Sequence, residues 1–356
     1  MHVRELAIRA KCLAPVSLTT RGMIIKNGFY KSVGICPETR PGLCWIGLVV
    51  LLAGFAGTST AVAGLTAADL PTNEVTGMAP PAAASGDYVS GMVNLEFSNY
   101  HLTPRGINLQ DKGLIFQPTA RLDWTLYRAR QTTNAVLDSV GLGTGLFNDF
   151  DTVRSGANPG SWNEIDFILG PNATFYRDWK FESPFISFKS ETGSYPTCWA
   201  WNPRLTCHDH WLRDFSVNPY VEFFDELQNK VTVVLVPAQS RSSYYGVLGM
   251  DPTYASEKLP LILELPTYIL IPGADFYQRA NGSGGGTGLG LFSTSLRATV
   301  PLKFLGTSGG KWSLYAGVQY DYLNNPGLLD GNLVVASTPD RQRDLVVFHG
   351  GITVRF

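Results

Sequence analysis

The last stretch of the chain, from Leu289 to Phe356, alternates apolar and polar residues with period two. Phe292, Leu296, Ala298, Val300, Leu302 and Phe304 are apolar, with Thr294 the exception, and Ser293, Ser295, Arg297, Thr299, Pro301 and Lys303 lie between them. After the turn 306–310 the pattern resumes, with Trp312, Leu314, Ala316, Val318, Tyr320 and Tyr322 set against Ser313, Tyr315, Gly317, Gln319 and Asp321. The final run places Val346, Phe348, Gly350, Ile352, Val354 and Phe356 opposite His349, Gly351, Thr353 and Arg355. Such alternation marks β-strands with one apolar and one polar face.

The length of these runs limits the fold further. They extend for about 12–16 residues, against the ~5–6 usual in soluble sheets. A tilted strand crosses a bilayer in about 9–11 residues. At ~3.3 Å per residue and ~40° tilt, Trp312 and Tyr322 stand ~25 Å apart along the membrane normal, the spacing of two aromatic girdles. The polar faces mix Arg, Lys and Asp with Ser, Thr and Gly, which suits a hydrated lumen. The expected fold is therefore all-β, a single antiparallel transmembrane barrel. A soluble β-sandwich is the competing architecture. A mean hydropathy near zero is compatible with the barrel, because an alternating strand is only half apolar. The chain has 28 basic and 29 acidic residues, a balance that offers no basic face for nucleic acid.

Upstream, Leu43–Phe55 is an apolar run too short to span comfortably as a helix. Small residues and Ala61-Val62-Ala63 follow it, an A-x-A cleavage pattern, and basic residues from Arg4 to Arg40 precede it. Residues 1–63 are read as a cleaved signal peptide with an over-long basic segment, which suggests a start near Met23; an uncleaved anchor is the alternative. Cys44 follows Leu43, not a small residue, so a lipoprotein cysteine is not expected. Residues 64–88, rich in Ala, Pro and Thr, form an expected flexible periplasmic lead-in to a barrel at 89–356.

The opening strands are Val93, Leu95 and Phe97 against Asn94, Glu96 and Ser98, and then Phe116 to Leu126 around Gln117, Thr119, Arg121, Asp123 and Thr125. Weaker strands are expected at 136–147, 163–170, 179–189, 214–224, 231–238, 243–250 and 259–270, about 12 in all, with 10 or 14 open. From a periplasmic N-terminus, the outer connections become 101–113, 148–162, 190–213, 239–242, 271–288 and 324–342, mostly long. The periplasmic ones, 129–135, 171–178, 225–230, 251–258 and 306–310, are short, as bacterial barrels require. Pro184, Pro219, Pro260 and Pro266 fall inside expected strands, where each forfeits a ladder donor.

Asn94-Leu-Glu-Phe-Ser-Asn-Tyr100, Thr103-Pro-Arg-Gly-Ile107 and the following Gln117 resemble the opening of TorF-type porins. Glu164, Asp166 and Gly170 resemble that family's E-x-D…G strand, and Tyr220-Val-Glu222 its later Tyr-x-Glu element. The resemblance covers about residues 90–225 and the C-terminal strand, and departs in the loop 190–213 and the Gly-rich loop. It implies an outer-membrane barrel inserted by the barrel assembly machinery, which in this class reads a terminal aromatic such as Phe356.

Cys198 and Cys207, nine positions apart in the expected loop 190–213, read as a disulfide in an oxidising compartment. His208 and His210 offer a rival metal set with them. No cofactor is expected. Gly282–Gly288 lacks the Lys and the helix of a phosphate loop, and no G-x-S-x-G sits at a strand-to-helix turn, so no enzyme activity is expected. The expected lumen residues are Glu96, Arg121, Asp123, Glu164, Asp166, Glu222, Arg297, Lys303, Asp321 and Arg355. They suit a porin passing small solutes across a lipid outer membrane. The alternatives are a receptor or structural barrel closed by paired charges or by an inward-folded loop, 190–213 or 271–288, and a hydrolase marked by a Ser–His pair on one wall.

Overall fold

The computed structural model describes residues 88–129, 136–153, 161–193, 195–209, 212–228, 243–256, 258–279, 281–306, 309–335 and 341–356. The expected signal peptide, and all of the lead-in but Tyr88, lie outside these residues, as does the expected strand 231–238. Twelve antiparallel strands form one closed barrel. They are β1 (Val89–Ser98), β2 (Ile115–Arg128), β3 (Leu137–Asp151), β4 (Trp162–Phe175), β5 (Trp179–Glu182 and Phe185–Ser190) and β6 (Cys198–Trp201 and Arg204–Cys207). The ring continues through β7 (Phe215–Ser216 and Pro219–Gln228), β8 (Tyr244–Met250 and Thr253–Ala255), β9 (Ile262–Glu264 and Thr267–Pro272), β10 (Leu291–Pro301), β11 (Lys311–Leu323) and β12 (Asp344–Arg355). Val93 pairs with Val354 on β12 and with Ala120 on β2, which closes the ring.

The faces follow the alternation, but inside out relative to a soluble protein. On β10, Ser293, Ser295, Arg297 and Thr299 are buried in the lumen. On β11 and β12, Leu314, Val346, Phe348 and Ile352 face outward, each more than a third exposed. In water that apolar exterior would be costly; against hydrocarbon it is the favourable side. Trp312 and Tyr322 share the outward face, as expected from their spacing.

The expected strand number holds, but one strand moves. The segment 198–207 is β6, not part of a loop, and β7 pairs directly with β8, so the barrel closes without 231–238. Asn202-Pro203 interrupts the alternation of β6, which hides it in the sequence. The change reverses only the direction of β7, and all other strands run as expected. The first described residue, Tyr88, the C-terminus and the short connections, such as 176–178 and 302–310, lie at one end; the long connections 99–114, 273–290 and 324–343 lie at the other.

The prolines that threatened the strands mark real breaks. Ser183-Pro184, Asn202-Pro203, Asp251-Pro252 and Leu265-Pro266 each divide one strand of β5, β6, β8 and β9, and Asn218, at φ 48°, divides β7 just before Pro219. Pro260 falls in the connection before β9. At the breaks the proline carbonyls still accept cross-strand bonds: from Asn202 N to Pro184 O (2.9 Å), Phe223 N to Pro203 O (2.9 Å) and Leu265 N to Pro252 O (2.8 Å). A proline costs a donor but leaves its acceptor usable.

The long-loop end carries one helix, α1 (Pro326–Val335). Asn325 caps it, its Oδ1 accepting from Gly327 N at 2.8 Å and Leu328 N at 3.3 Å, and Pro326 starts the first turn.

Candidate functional site: the charged lumen wall and its loop plug

Nine of the ten expected lumen residues lie on the inner face; Lys303 is the exception. The alternation that placed Lys303 in the lumen ends at Pro301, and Lys303–Leu305 form an exposed 3-10 turn at the short-turn end. Four of the others, Arg121, Asp123, Glu222 and Arg297, join ion pairs along the wall.

On one side Arg121 makes a bidentate pair with Asp123, at 2.8 Å for both bonds, and its Nη2 also reaches Glu182 Oε1 on β5 at 2.7 Å. Between these strands the wall presents glycines. A Cβ at Gly143 would lie 3.0 Å from Asp123 Oδ1 and 3.4 Å from Arg121 Nη2, so the glycine leaves room for the pair. Lys180 joins Glu182 at 3.3 Å. Arg204 on β6 continues these pairs, 2.6 Å from Asp251 and 3.9 Å from Glu222, with its guanidinium 3.6 Å from the centre of the Tyr220 ring. Gly249 makes room for that tyrosine, since a Cβ there would meet the ring at 2.2 Å.

Across the lumen Arg297 lies 3.5 Å from Glu264 and 3.8 Å from the centre of the Tyr315 ring, and the Tyr315 hydroxyl donates to Glu96 Oε2 at 2.5 Å. Charge-assisted and bidentate contacts of this kind are the strong members of their class, and a buried partner left alone is costly. A small cavity of about 50 Å³ opens beside the Arg121 and Arg204 pairs, lined also by Thr144, Asn172 and Asn202. Asp321 is held by Gln319 Nε2 at 2.9 Å, and Arg355 lies half-buried near the short-turn mouth. Glu164 and Asp166 lie nearer the long-loop end, beside Asp149 and Asp151.

At that end the polar wall gives way to an apolar cluster. Phe188, Phe224, Tyr245, Leu270, Leu291 and Leu323 point inward and meet Leu102, Ile107 and Leu109 of connection 99–114, Phe276 and Tyr277 of 273–290, and Leu328 and Leu329 of α1. His101 Nδ1 lies 3.1 Å from Asp149 Oδ2. Burial alone would lower its pKa, but the carboxylates of Asp149, then Glu164 and Asp151, outweigh that and raise it to about 9. Burial likewise pushes the Tyr277 hydroxyl up, and it donates to Arg105 O.

The expected disulfide is absent. Cys198 and Cys207 stand at opposite ends of β6, Cys198 buried on the inner face and Cys207 on the other, and neither is part of a disulfide. Nine strand steps of ~3.3 Å separate their Cα atoms by ~30 Å, far beyond the ~7 Å a disulfide permits. The same separation prevents them from sharing a metal ion, and His210 lies outside the described residues. Within the expected loop 190–213, residues 198–207 form β6, while Tyr195 packs against the inward apolar cluster. Sequence reasoning missed Arg105, Glu182, Arg204, Glu226, Asp251 and Glu264. For Arg204 a signal existed in the alternation of Arg204, Leu205 and Thr206. A Ser–His pair does occur: Ser295 Oγ lies 3.2 Å from His349 Nε2, yet among the described residues no carboxylate hydrogen-bonds to that histidine.

No protein-family model matches the chain, and no curated protein matches it either, so the resemblance to TorF-type porins gains no sequence match. Solved structures similar to the chain are distant. The porin NanC is 11% identical over 74% of this chain and 98% of its own, with a TM-score of 0.38. The transport unit of the autotransporter AIDA-I from Escherichia coli is 12% identical over 80% and 95%, at 0.37. The β domain of the Bordetella autotransporter BrkA is 12% identical over 76% and 100%, at 0.38. At these scores they do not bear on activity, and the barrel rests on its own strand register.

Proposed function

We propose that the chain is an outer-membrane channel for small solutes. The observation that carries this reading is the polar inner wall, with Arg121, Arg204 and Arg297 set among carboxylates beside an open cavity, inside an apolar exterior. Because the charges of both signs are interleaved, weak charge selectivity is expected, and the modest width of the ring favours ions and small nutrients. The same reading places the chain in the outer membrane after export through the periplasm. The assembly machinery would insert it by recognising the strand that ends at Phe356, whose backbone pairs with Gly91.

The passage proposed is non-enzymatic; beside the Ser295–His349 pair, no carboxylate hydrogen-bonds to His349 among the described residues. A closed receptor or structural barrel is the second reading, and the buried plug at the long-loop end favours it. Planar-bilayer recording of the purified barrel, with liposome swelling in sugars, tests the channel. Discrete conductance steps altered by Arg297→Glu are expected, and silence in both assays, from the natural chain and from a form whose buried segment 101–110 is replaced by a short linker, would overturn the reading.

A further inference from the structure

The connection 99–114 is unlike a loop exposed to water. Each of the ten residues His101–Gln110 is buried. Isolated in solution, so polar a segment would hold water; here it is pinned to groups around the ring. His101 pairs with Asp149 on β3, and Arg105 Nη1 reaches Glu226 Oε1 on β7 at 3.3 Å. Tyr268 on β9 donates to Pro104 O at 3.0 Å. Asn332 of α1 accepts from Asn108 N at 3.1 Å and donates to Gly106 O at 2.9 Å. Contacts with β3, β7, β9 and α1 come from separate parts of the circumference, so the segment lies across the mouth.

Arg105 is the strongest of these ties. Its guanidinium lies 4.9 Å from the centre of the Phe188 ring and 5.5 Å from that of Phe224, with the Glu226 carboxylate itself held by Ser243 Oγ at 2.7 Å. A cation between aromatic faces and a buried carboxylate gains from both. The turn that presents it is compact: Thr103 N donates to Ile107 O, Gly106 N donates to Thr103 O, and Gly106 takes φ 76°. A side chain at 106 would also crowd Leu328 and Leu323, at 2.9 and 3.0 Å.

We propose that residues 101–110 are the gate of this channel, latched shut by Arg105 on Glu226, so that conduction requires the segment to leave the mouth. The gate rests on the channel reading above, and three forms of the full barrel separate the two. These are the natural chain, Arg105→Ala, and a chain with 101–110 replaced by a short Gly-Ser linker, each checked for folding by heat-modifiable gel mobility. The natural chain should be open rarely in a planar bilayer. Arg105→Ala should raise open time about tenfold or more, the shift expected when a buried ionic latch is lost, and the linker form should stay open. If Arg105→Ala does not fold, Glu226→Gln weakens the latch from the wall side and should give the same rise. The exchange Arg105→Glu with Glu226→Arg should restore closure. Equal conductance of the natural and linker forms would overturn the gate and leave the channel standing. Silence from the linker form would overturn both.

Discussion

The barrel has two unlike walls. From β10 through β12 and on to β4 the strands are unbroken, and β11 pairs residue for residue with both neighbours from Ser313 to Tyr322. From β5 to β9 every strand is interrupted at or just before a proline. The unbroken wall keeps its backbone polarity in the ladder apart from local bulges, such as those at Tyr127 and Phe150, as hydrocarbon demands. The broken wall gives up ladder bonds and replaces them with side chains on the lumen side. Asn202 Nδ2 donates to Phe223 O and Asn218 Nδ2 to Asp251 O, and the Arg204 and Glu182 pairs lie directly beside these breaks. Irregular backbone is tolerated in a membrane where protein or a polar cavity covers it, and here the breaks of β5 and β6, at Pro184 and Asn202, line the cavity.

Changes on the unbroken wall should therefore cost most. Phe356→Asp should abolish assembly, because it places a charge at the end of the strand that closes the ring; the measurement is mature protein in the outer-membrane fraction. Normal recovery of the variant would remove Phe356 from that role. Next, Val318→Pro, mid-β11, should destabilise the barrel by about 3 kcal/mol or more, since no cavity-side partner can replace the lost ladder bond. The readout is the urea midpoint of unfolding from lipid vesicles.

On the broken wall, Arg204→Met leaves Asp251 and Glu222 facing each other without their cation. A loss of roughly 3 kcal/mol is expected in the same urea titration. A change within a few tenths of a kcal/mol would mean that water already screens the pair.

A smaller effect should come from pH at the mouth. His101 faces Asp149, Asp151 and Glu164, and its pKa is raised in the folded barrel from 6.5 to about 9. Its contribution is therefore complete below about pH 6.5 and lost as pH rises through about 9. Open time in a bilayer should rise across that window in the natural chain, and His101→Gln should flatten the rise. Smallest of all, Pro203→Ala should shift stability by less than about 1 kcal/mol, because the break in β6 is already bonded through the Pro203 carbonyl. A gain or loss several times larger would show that the proline itself sets the break.

The fold was largely legible because lipid and lumen impose opposite demands on alternate residues. That rule wrote itself into Leu289–Phe356 and 115–128 strongly enough to give class, strand direction and the inner-face positions of Glu96, Arg121 and Arg297. It failed where the alternation is interrupted: Asn202-Pro203 concealed β6, and with it the true places of Cys198 and Cys207. Lys303 went astray for a related reason, since a strand's pattern can run past the residue where the ladder stops.

What the sequence determined alone, then, is local: which residues face lipid, which face the lumen, and where the long loops fall. Only the tertiary structure decided what the lumen residues do to one another. Arg121 reaches Glu182, sixty-one positions away, across β3 and β4, with Gly143 on β3 leaving room beside its guanidinium. Arg105 reads as an ordinary polar loop residue until the ring brings Glu226, Phe188 and Phe224 around it. Alternation is a property of neighbours along the chain, whereas the ion pairs and the plug depend on register around a closed ring, which no single stretch of sequence contains.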